Sequence, residues 1–259
     1  MTPANEPKPR GQKIRLDQGL VDKGLFESRE KAKRAVMAGQ VRVNGHLAAK
    51  PGALIGAGDL LECVQKERYV SRGGLKLEHA LDRFRVSVAG LTALDVGAST
   101  GGFTDCLLQR DAAKVYAIDV GHGQLAWKLR CDPRVVVMEN TNARHLVGTH
   151  FPAPFAPADL AVFDCSFISL RKVLPPVIAL LQPSGKIIAL IKPQFEAGKA
   201  EADKGAGVIR DPQIHRRVID ELQDFVERHG GLRWQSVTES PIVGPAGNRE
   251  FLVLIEKLG

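Results

Sequence analysis

Two ionisable residues stand at the ends of runs otherwise suited to a core. Ala161-Val162-Phe163 leads into Asp164, and Ile187 to Ile191 leads into Lys192-Pro193. A carboxylate and an ammonium ending neighbouring strands can position a nucleophile and take up its proton; a purely structural ion pair would use the same residue types. A third feature favours chemistry. Leu94-Asp95-Val96 runs into Gly97-Ala98-Ser99-Thr100-Gly101-Gly102-Phe103, a buried strand breaking into a glycine turn that opens a helix. Glycines admit a ligand to the backbone, and the first N–H groups of the helix are unpaired at its positive end.

The spacing selects the ligand. A dinucleotide turn reads G-x-G-x-x-G, its second glycine making room for a pyrophosphate, whereas three residues separate Gly97 from Gly101-Gly102 here. Asp95 would repel phosphates but accept hydrogen bonds from an ammonium or a water near one. An amino-acid-bearing nucleoside such as S-adenosylmethionine fits better. Lys114 to Ile118 is a second apolar run ending in Asp119, one βαβ unit on, where a carboxylate can hold two ribose hydroxyls. The plain alternatives are a tight βα turn and a capping acid; strand, glycine turn, helix, strand and terminal acid in that order favour a nucleoside site.

Methylating a hydroxyl needs an aligned acceptor oxygen and a modest base. A lysine serves as that base where desolvation or a neighbouring cation lowers its pKa. Lys76, in Ser71-Arg72-Gly73-Gly74-Leu75-Lys76-Leu77, is the candidate cation, although alone it reads as a surface lysine. Glu250 begins the apolar run Phe251 to Ile255, where the ordinary reading is an edge-strand or capping acid.

The elements that must position these groups alternate. Strands are expected over Leu91–Val96, Val115–Asp119, Val135–Met138, Leu160–Asp164, Lys186–Ile191 and Phe251–Ile255, with helices over Thr104–Arg110, Leu125–Leu129, Leu170–Leu181 and Gln213–His229. Such alternation specifies an α/β domain with a mostly parallel sheet covered on both faces, gathering Asp95, Asp119, Asp164 and Lys192 at one edge.

The first quarter of the chain is different. Ile14 to Val21 suggests a short helix, Ser28 caps a second over Arg29–Ala38, Gln40–Val43 alternates like a strand, Asn44-Gly45 signals a hairpin, and Asp59–Val64 supplies another strand. Ala32, Ala35 and Val36 share one helix face, leaving Arg29, Lys31, Lys33 and Arg34 largely outward. The whole chain of 259 residues carries a net charge of +7 with 5% aromatic residues, which favours a polyanionic partner gripped by charge. Four cysteines without a C-x-x-C and seven scattered histidines indicate reduced thiols and no metal site. Met1–Gly11, rich in Pro and Lys, reads as a short disordered leader over residues 1–12, and the absence of a spanning apolar run points to a cytoplasmic protein with no membrane association.

The order of parts from Lys13 to Val64 resembles the S-four RNA-binding domain. The resemblance is carried by Arg15-Leu16-Asp17, Ser28-Arg29-Glu30-Lys31-Ala32, Gly39-Gln40-Val41 and Val43-Asn44-Gly45. Such domains grip structured RNA through shape and phosphates, which makes Arg15, Arg29, Lys31, Lys33, Arg34 and Arg42, with Arg72 beyond the module, the candidate RNA-binding residues.

From Lys13 to Leu258 the chain resembles the TlyA-type rRNA methyltransferases, formerly grouped as hemolysin A, whose catalytic domain is similar to FtsJ. Its most specific pieces are Tyr69 to Leu77, Asp95 to Phe103, Asp164-Cys165-Ser166-Phe167-Ile168-Ser169 and Ile191-Lys192-Pro193-Gln194-Phe195-Glu196, with Lys204 to Pro212 and Ser240 to Phe251 agreeing. The resemblance implies a Rossmann-like class I methyltransferase fold with a seven-stranded, mostly parallel sheet behind a small α+β RNA-binding domain. With the change of composition near Lys66 to Gly74, this gives an RNA-binding domain at 13–65, a linker at 66–75 and the methyltransferase domain at 76–259.

By the same resemblance Lys76, Asp164, Lys192 and Glu250 match the K-D-K-E tetrad of ribose 2′-O-methyltransferases. Lys192 would be the general base, Asp164 would orient it and the donor, and Lys76 and Glu250 would hold the ribose and tune the base. Asp95, Gly97, Ser99, Gly101, Phe103, Asp119, Asn142 and Asp164 would bind S-adenosylmethionine, and the Gly205 to Gly207 loop would cover the substrate. The implied activity is S-adenosylmethionine-dependent ribose 2′-O-methylation of ribosomal RNA at cytidine, on rRNA or ribosomal subunits; a monomer is the simpler default for the chain. The rival readings are an RNA-binding ribosome-assembly factor without turnover and, weakest, a pore-forming hemolysin, which lacks a signal peptide and barrel-type strands.

Overall fold

A computed structural model describes residues 13–63 and 68–259. The expected leader over 1–12 lies outside the described residues. The chain divides into two compact units, with the boundary between residues 67 and 68.

The first unit opens with β1 (Ile14–Arg15), α1 (Leu16–Asp22) and α2 (Arg29–Met37), followed by β2 (Val41–Val43), β3 (His46–Leu47), β4 (Leu54–Ile55) and β5 (Leu61–Cys63). The expected first helix starts two residues late, because Ile14 and Arg15 pair antiparallel with β4. Ser28 caps α2, its Oγ accepting from the Lys31 N–H at 3.3 Å. Asn44 and Gly45 both have positive φ, the turn type that suits the β2–β3 hairpin. The strand expected over Asp59–Val64 is shorter at its start because Asp59 turns back, accepting from Gly56 N at 2.8 Å and Asn44 Nδ2 at 3.0 Å; Val64 lies outside the described residues. Leu16, Leu20, Ala32, Ala35, Val36, Val41, Ile55 and Leu61 form the core.

The second unit begins earlier than expected. Tyr69, assigned to a linker, is buried, and α3 (Gly73–Phe84) takes in the last three linker residues. Then come β6 (Thr92–Val96), α4 (Gly102–Gln109), β7 (Lys114–Ile118), α5 (Trp127–Arg130), β8 (Val135–Met138), β9 (Ala158–Phe163), α6 (Leu170–Ile178), β10 (Leu181–Ile191), α7 (Pro193–Glu196), α8 (Lys199–Lys204), α9 (Pro212–Arg228), β11 (Leu232–Glu239) and β12 (Phe251–Lys257). The seven strands lie in the order β11-β12-β10-β9-β6-β7-β8, and only β12 runs against the others.

Alternation along each strand divides the core between the faces. Leu94, Val96, Ala161, Phe163, Ile187 and Ala189 pack with α6 and α9 on one side; Ala93, Leu160, Val162, Ile188 and Leu190 pack with α3 and α4 on the other. The chain leaves β6 for β7 and β8 on one flank, then returns to place β9 on the other. That reversal opens a crevice beyond the carboxyl ends of β6 and β9, where open α/β sheets bind ligands. Among the described residues no helix is long and apolar enough to cross a membrane.

Candidate active site

The crevice is closed at its floor by backbone. Asp164 N donates to Val96 O at 3.1 Å, joining the ends of β9 and β6. Gly97 has φ +85°, a conformation that favours glycine, and a Cβ there would stand 3.0 Å from the Asp164 carbonyl oxygen, a tight contact against backbone. A residue other than glycine would push the two strand ends apart.

Five ionisable side chains line one cavity of about 270 Å³ beside this floor: Arg72, Lys76, Asp164, Lys192 and Glu250. Lys76 projects from α3 beside Leu77 and pairs with Glu250, at the start of β12, at 2.6 Å; the two side chains are 8% and 1% exposed. Lys192 Nζ lies 2.7 Å from Asp164 Oδ1 and donates to Ser166 Oγ at 2.9 Å. The two ion pairs offset each other, and Arg72 adds one positive charge to the lining. Arg72, Gly102 and Phe103 complete its wall on the α3–α4 side.

A second cavity, about 560 Å³, adjoins the first and shares Gly97, Ser99, Asp164 and Ser166 with it. Asp119 and Asn142 line its far side. The Asp119 carboxylate is fixed by backbone: Oδ2 accepts from Ser99 N and Oδ1 from Gly121 N, each at 2.7 Å. Each oxygen keeps a lone pair for a ligand hydroxyl. Asn142 Oδ1 caps a short 3₁₀ turn by accepting from Arg144 N at 3.0 Å, leaving its amide N–H groups for the cavity.

Three residues expected at the donor lie away from the larger cavity. Asp95 lines neither cavity. It shares the strand face of Ala93, fully buried beneath α4, with Oδ2 accepting from Thr104 Oγ1 at 2.6 Å and Oδ1 lacking any hydrogen-bond partner among the described residues. Burial pushes its carboxyl up to about 7; the nearby Asp164 and Asp119 charges push the same way and the Thr104 bond opposes them. Gly101 also lines neither cavity; a Cβ there would come within 2.8 Å of Leu125 Cδ1, so it admits the chain leading into α5. Phe103 is a core residue at 2% exposure and touches only the smaller cavity. Ser166, Ser71 and Pro245, given no role from sequence, do line that cavity. Ser166 had one available signal, its position two residues after Asp164 in the segment that follows β9.

The Gly205 to Gly207 loop is tied to the segment that carries Glu250. Asn248, buried, accepts from Ile209 N at 2.9 Å and donates to Gly207 O at 2.8 Å.

In the first unit the basic residues are not equivalent. Arg15 makes a two-pronged contact with Asp17, Nε to Oδ1 at 3.0 Å and Nη2 to Oδ2 at 2.9 Å, and Arg29 reaches the same Oδ2 at 3.3 Å. Asp17 is wholly buried, and the hydrogen bond from Arg15 holds its carboxyl down at about 2. One hidden carboxylate thus sets the positions of two half-exposed guanidinium groups, a role unread from Arg15-Leu16-Asp17. Lys31 pairs with Glu27, and Lys33 with Glu30 at 3.2 Å; Lys33 is half-buried, not outward. Arg34 and Arg42 are exposed and have no ion-pair partner among the described residues.

Comparison with known proteins agrees with this anatomy. Residues 69–257 match the FtsJ-like methyltransferase family, and residues 14–61 match the S4 domain. A Bacillus subtilis (strain 168) protein, YqxC, provisionally named an rRNA methyltransferase, is 50% identical over 246 residues, 93% of this chain and 85% of that one. The 16S/23S rRNA (cytidine-2′-O)-methyltransferase TlyA of Mycobacterium tuberculosis (strain ATCC 25618 / H37Rv) is 45% identical over 246 residues, covering 93% and 89%. A solved Streptococcus thermophilus structure, provisionally named a hemolysin, superposes with a TM-score of 0.71 at 46% identity, covering 95% of this chain and 89% of that one. With an S4 domain ahead of a seven-stranded methyltransferase sheet, the chain belongs to the TlyA/hemolysin A family of FtsJ-like methyltransferases.

Proposed function

We propose that this protein is an S-adenosylmethionine-dependent ribose 2′-O-methyltransferase acting on cytidine in ribosomal RNA. The observation that carries the reading is the pair of adjoining cavities: a lysine held against an acid lines one, an acid suited to ribose lines the other, and Asp164 belongs to both. The names of relatives at 45% identity support the substrate.

The residues fit the donor. The larger cavity lies within the roughly 300–1,000 Å³ range of small-molecule sites, and the glycine turn presents backbone without side chains at its edge. Asp95 carries a buried oxygen with no hydrogen-bond partner among the described residues and holds Thr104 of α4, so its part is to support the start of that helix without direct contact with the donor. Asp119 accepts from the ribose hydroxyls, Asn142 faces the base, and Gly97 and Ser99 line the wall between. When bound, S-adenosylmethionine supplies an electrophilic methyl group on a sulfonium.

The chain's own groups prepare the acceptor. Lys192, as the free amine, takes the proton of the 2′-hydroxyl as its oxygen attacks. Asp164 holds the amine in place, and its negative charge offsets the ammonium that forms. Lys76 and Glu250, paired on the opposite wall, hold the ribose by hydrogen bonds. Arg72 meets a backbone phosphate at the rim. Arg34 and Arg42 of the S4 domain, with Arg15 and Arg29 set by Asp17, grip phosphates of the folded rRNA.

The test uses purified full-length protein, methyl-labelled donor and ribosomal subunits lacking the modification. Label recovered as 2′-O-methylcytidine after nuclease digestion is the expected result. RNA binding with no label in either subunit would leave the assembly-factor reading in its place.

A further inference from the structure

We infer that Ser166 is a positioning residue for methyl transfer, orienting the Lys192 amine so that its lone pair faces the acceptor hydroxyl. This rests on Lys192 being the base, as proposed above.

A neutral amine has two N–H bonds and one lone pair in a tetrahedral arrangement. Asp164 alone, at 2.7 Å, leaves the amine free to rotate about the bond to its carbon. A second acceptor stops that rotation. Lys192 Nζ donates to Ser166 Oγ at 2.9 Å; this hydrogen bond, with the ion pair to Asp164 beside it, fixes the amine and leaves its lone pair for the cavity that Lys192 lines. In the reaction the 2′-oxygen forms a bond to the methyl carbon as the carbon–sulfur bond breaks and its electron pair stays on sulfur. The hydroxyl proton moves to the Lys192 lone pair, giving an ammonium that later releases it to solvent.

The local chain is built for this contact. Asp164 and Ser166 both reach Lys192, while Cys165 between them turns its Sγ to Val96 O at 3.5 Å. Phe167, next in the chain, has φ +62°, a conformation uncommon outside glycine and found where a functional turn is over-determined by its surroundings. Ser166 is not occupied elsewhere, since among the described residues Lys192 is its only hydrogen-bond partner. Ser169, three residues on, caps α6 and donates to Glu196 Oε2 at 2.6 Å. Ser166 also lines both cavities, where the oriented proton acceptor must meet the donor.

The experiment compares Ser166→Ala, Ser166→Thr, Lys192→Ala and the Ser166→Ala/Lys192→Ala double variant, using ribosomal subunits and labelled donor, with donor Kd measured separately. Ser166→Ala is expected to lower kcat roughly 10- to 100-fold with donor Kd and the KM for subunits within about twofold. Threonine, which keeps the hydroxyl, restores most of the rate, and the double variant is no slower than Lys192→Ala alone. A Ser166→Ala kcat within twofold of the parent overturns the inference, as does a loss expressed in Kd or KM, a threonine variant as slow as alanine, or a further loss in the double variant. An active Lys192→Ala enzyme overturns the assignment of the base itself, a result distinct from any of these.

Discussion

Lys192 Nζ stands 2.7 Å from Asp164 Oδ1 because β9 and β10 run parallel and adjacent, with Phe163 level with Ala189. The two residues leave the sheet at the same edge, and the lysine side chain folds back across one strand spacing. Removing the amine should therefore abolish chemistry without dismantling the donor site. Lys192→Ala is expected to lose at least about 10³-fold in kcat while donor Kd, read by calorimetry, stays within a few-fold. Lys192→Arg should be as slow, since a guanidinium cannot give up its proton.

Asp164 lines both cavities, so its substitution should register in both. Asp164→Asn keeps the shape and removes the charge. The expected result is a kcat lower by about 10²-fold together with a weaker donor Kd, in contrast to the kcat-only effect at Lys192. Single-turnover rates and equilibrium binding separate the two.

The Lys76–Glu250 pair is nearly wholly buried. Lys76→Met or Glu250→Gln alone strands the other partner, an outcome worth about 3–5 kcal/mol of lost stability. The double variant Lys76→Met/Glu250→Leu should recover most of that loss in urea denaturation yet remain inactive. Stability and activity would then part company at this site.

Asp95 makes stability depend on pH in an unusual direction. Its folded pKa, about 7, lies above the ordinary carboxylate value of 3.8, so folding takes up a proton between them. This contribution is complete below about 3.8 and is lost as pH rises through about 7. Asp95→Asn should flatten the curve, shrinking the difference in unfolding free energy between pH 5 and pH 8 by about 2 kcal/mol. Denaturation series for both proteins across that range provide the check.

For the S4 domain, Arg34 and Arg42 should act as phosphate contacts. Arg34→Ala and Arg42→Ala are expected to weaken RNA binding across sequences and each to lower the slope of log K against log salt by about 1. Asp17→Asn should weaken binding as well, although the residue is buried, because it frees Arg15 and Arg29 from their fixed positions. Filter binding at several salt concentrations measures both.

Much of this site was legible along the chain, for local reasons. A strand end, a run of glycines and an acid are neighbours in sequence, so Gly97, Ser99 and Asp119 could be read as a ligand edge from spacing, and Asp164 and Lys192 stood out as charges ending apolar runs. Strand β11 was not legible, because Leu232–Glu239 is a half-exposed edge with weak alternation. The linker at 66–75 extended too far, because Gly73-Gly74 begin α3, whose N-terminal turn packs tightly beside Tyr69.

Short-range periodicity and turn chemistry carry the alternation that makes a parallel sheet and the residue types at its edge, and the basic character of the first unit is read directly from its composition. Only the tertiary structure decided which charges meet. Lys76 and Glu250 come together across nearly the whole unit because α3 packs on β12, and Asp95 drops out of the cavity because strand parity turns it under α4. Ser166 reaches Lys192 only because β10 lies beside β9. Strand order and face are set by how the whole core closes, and no local stretch of the chain carries that information.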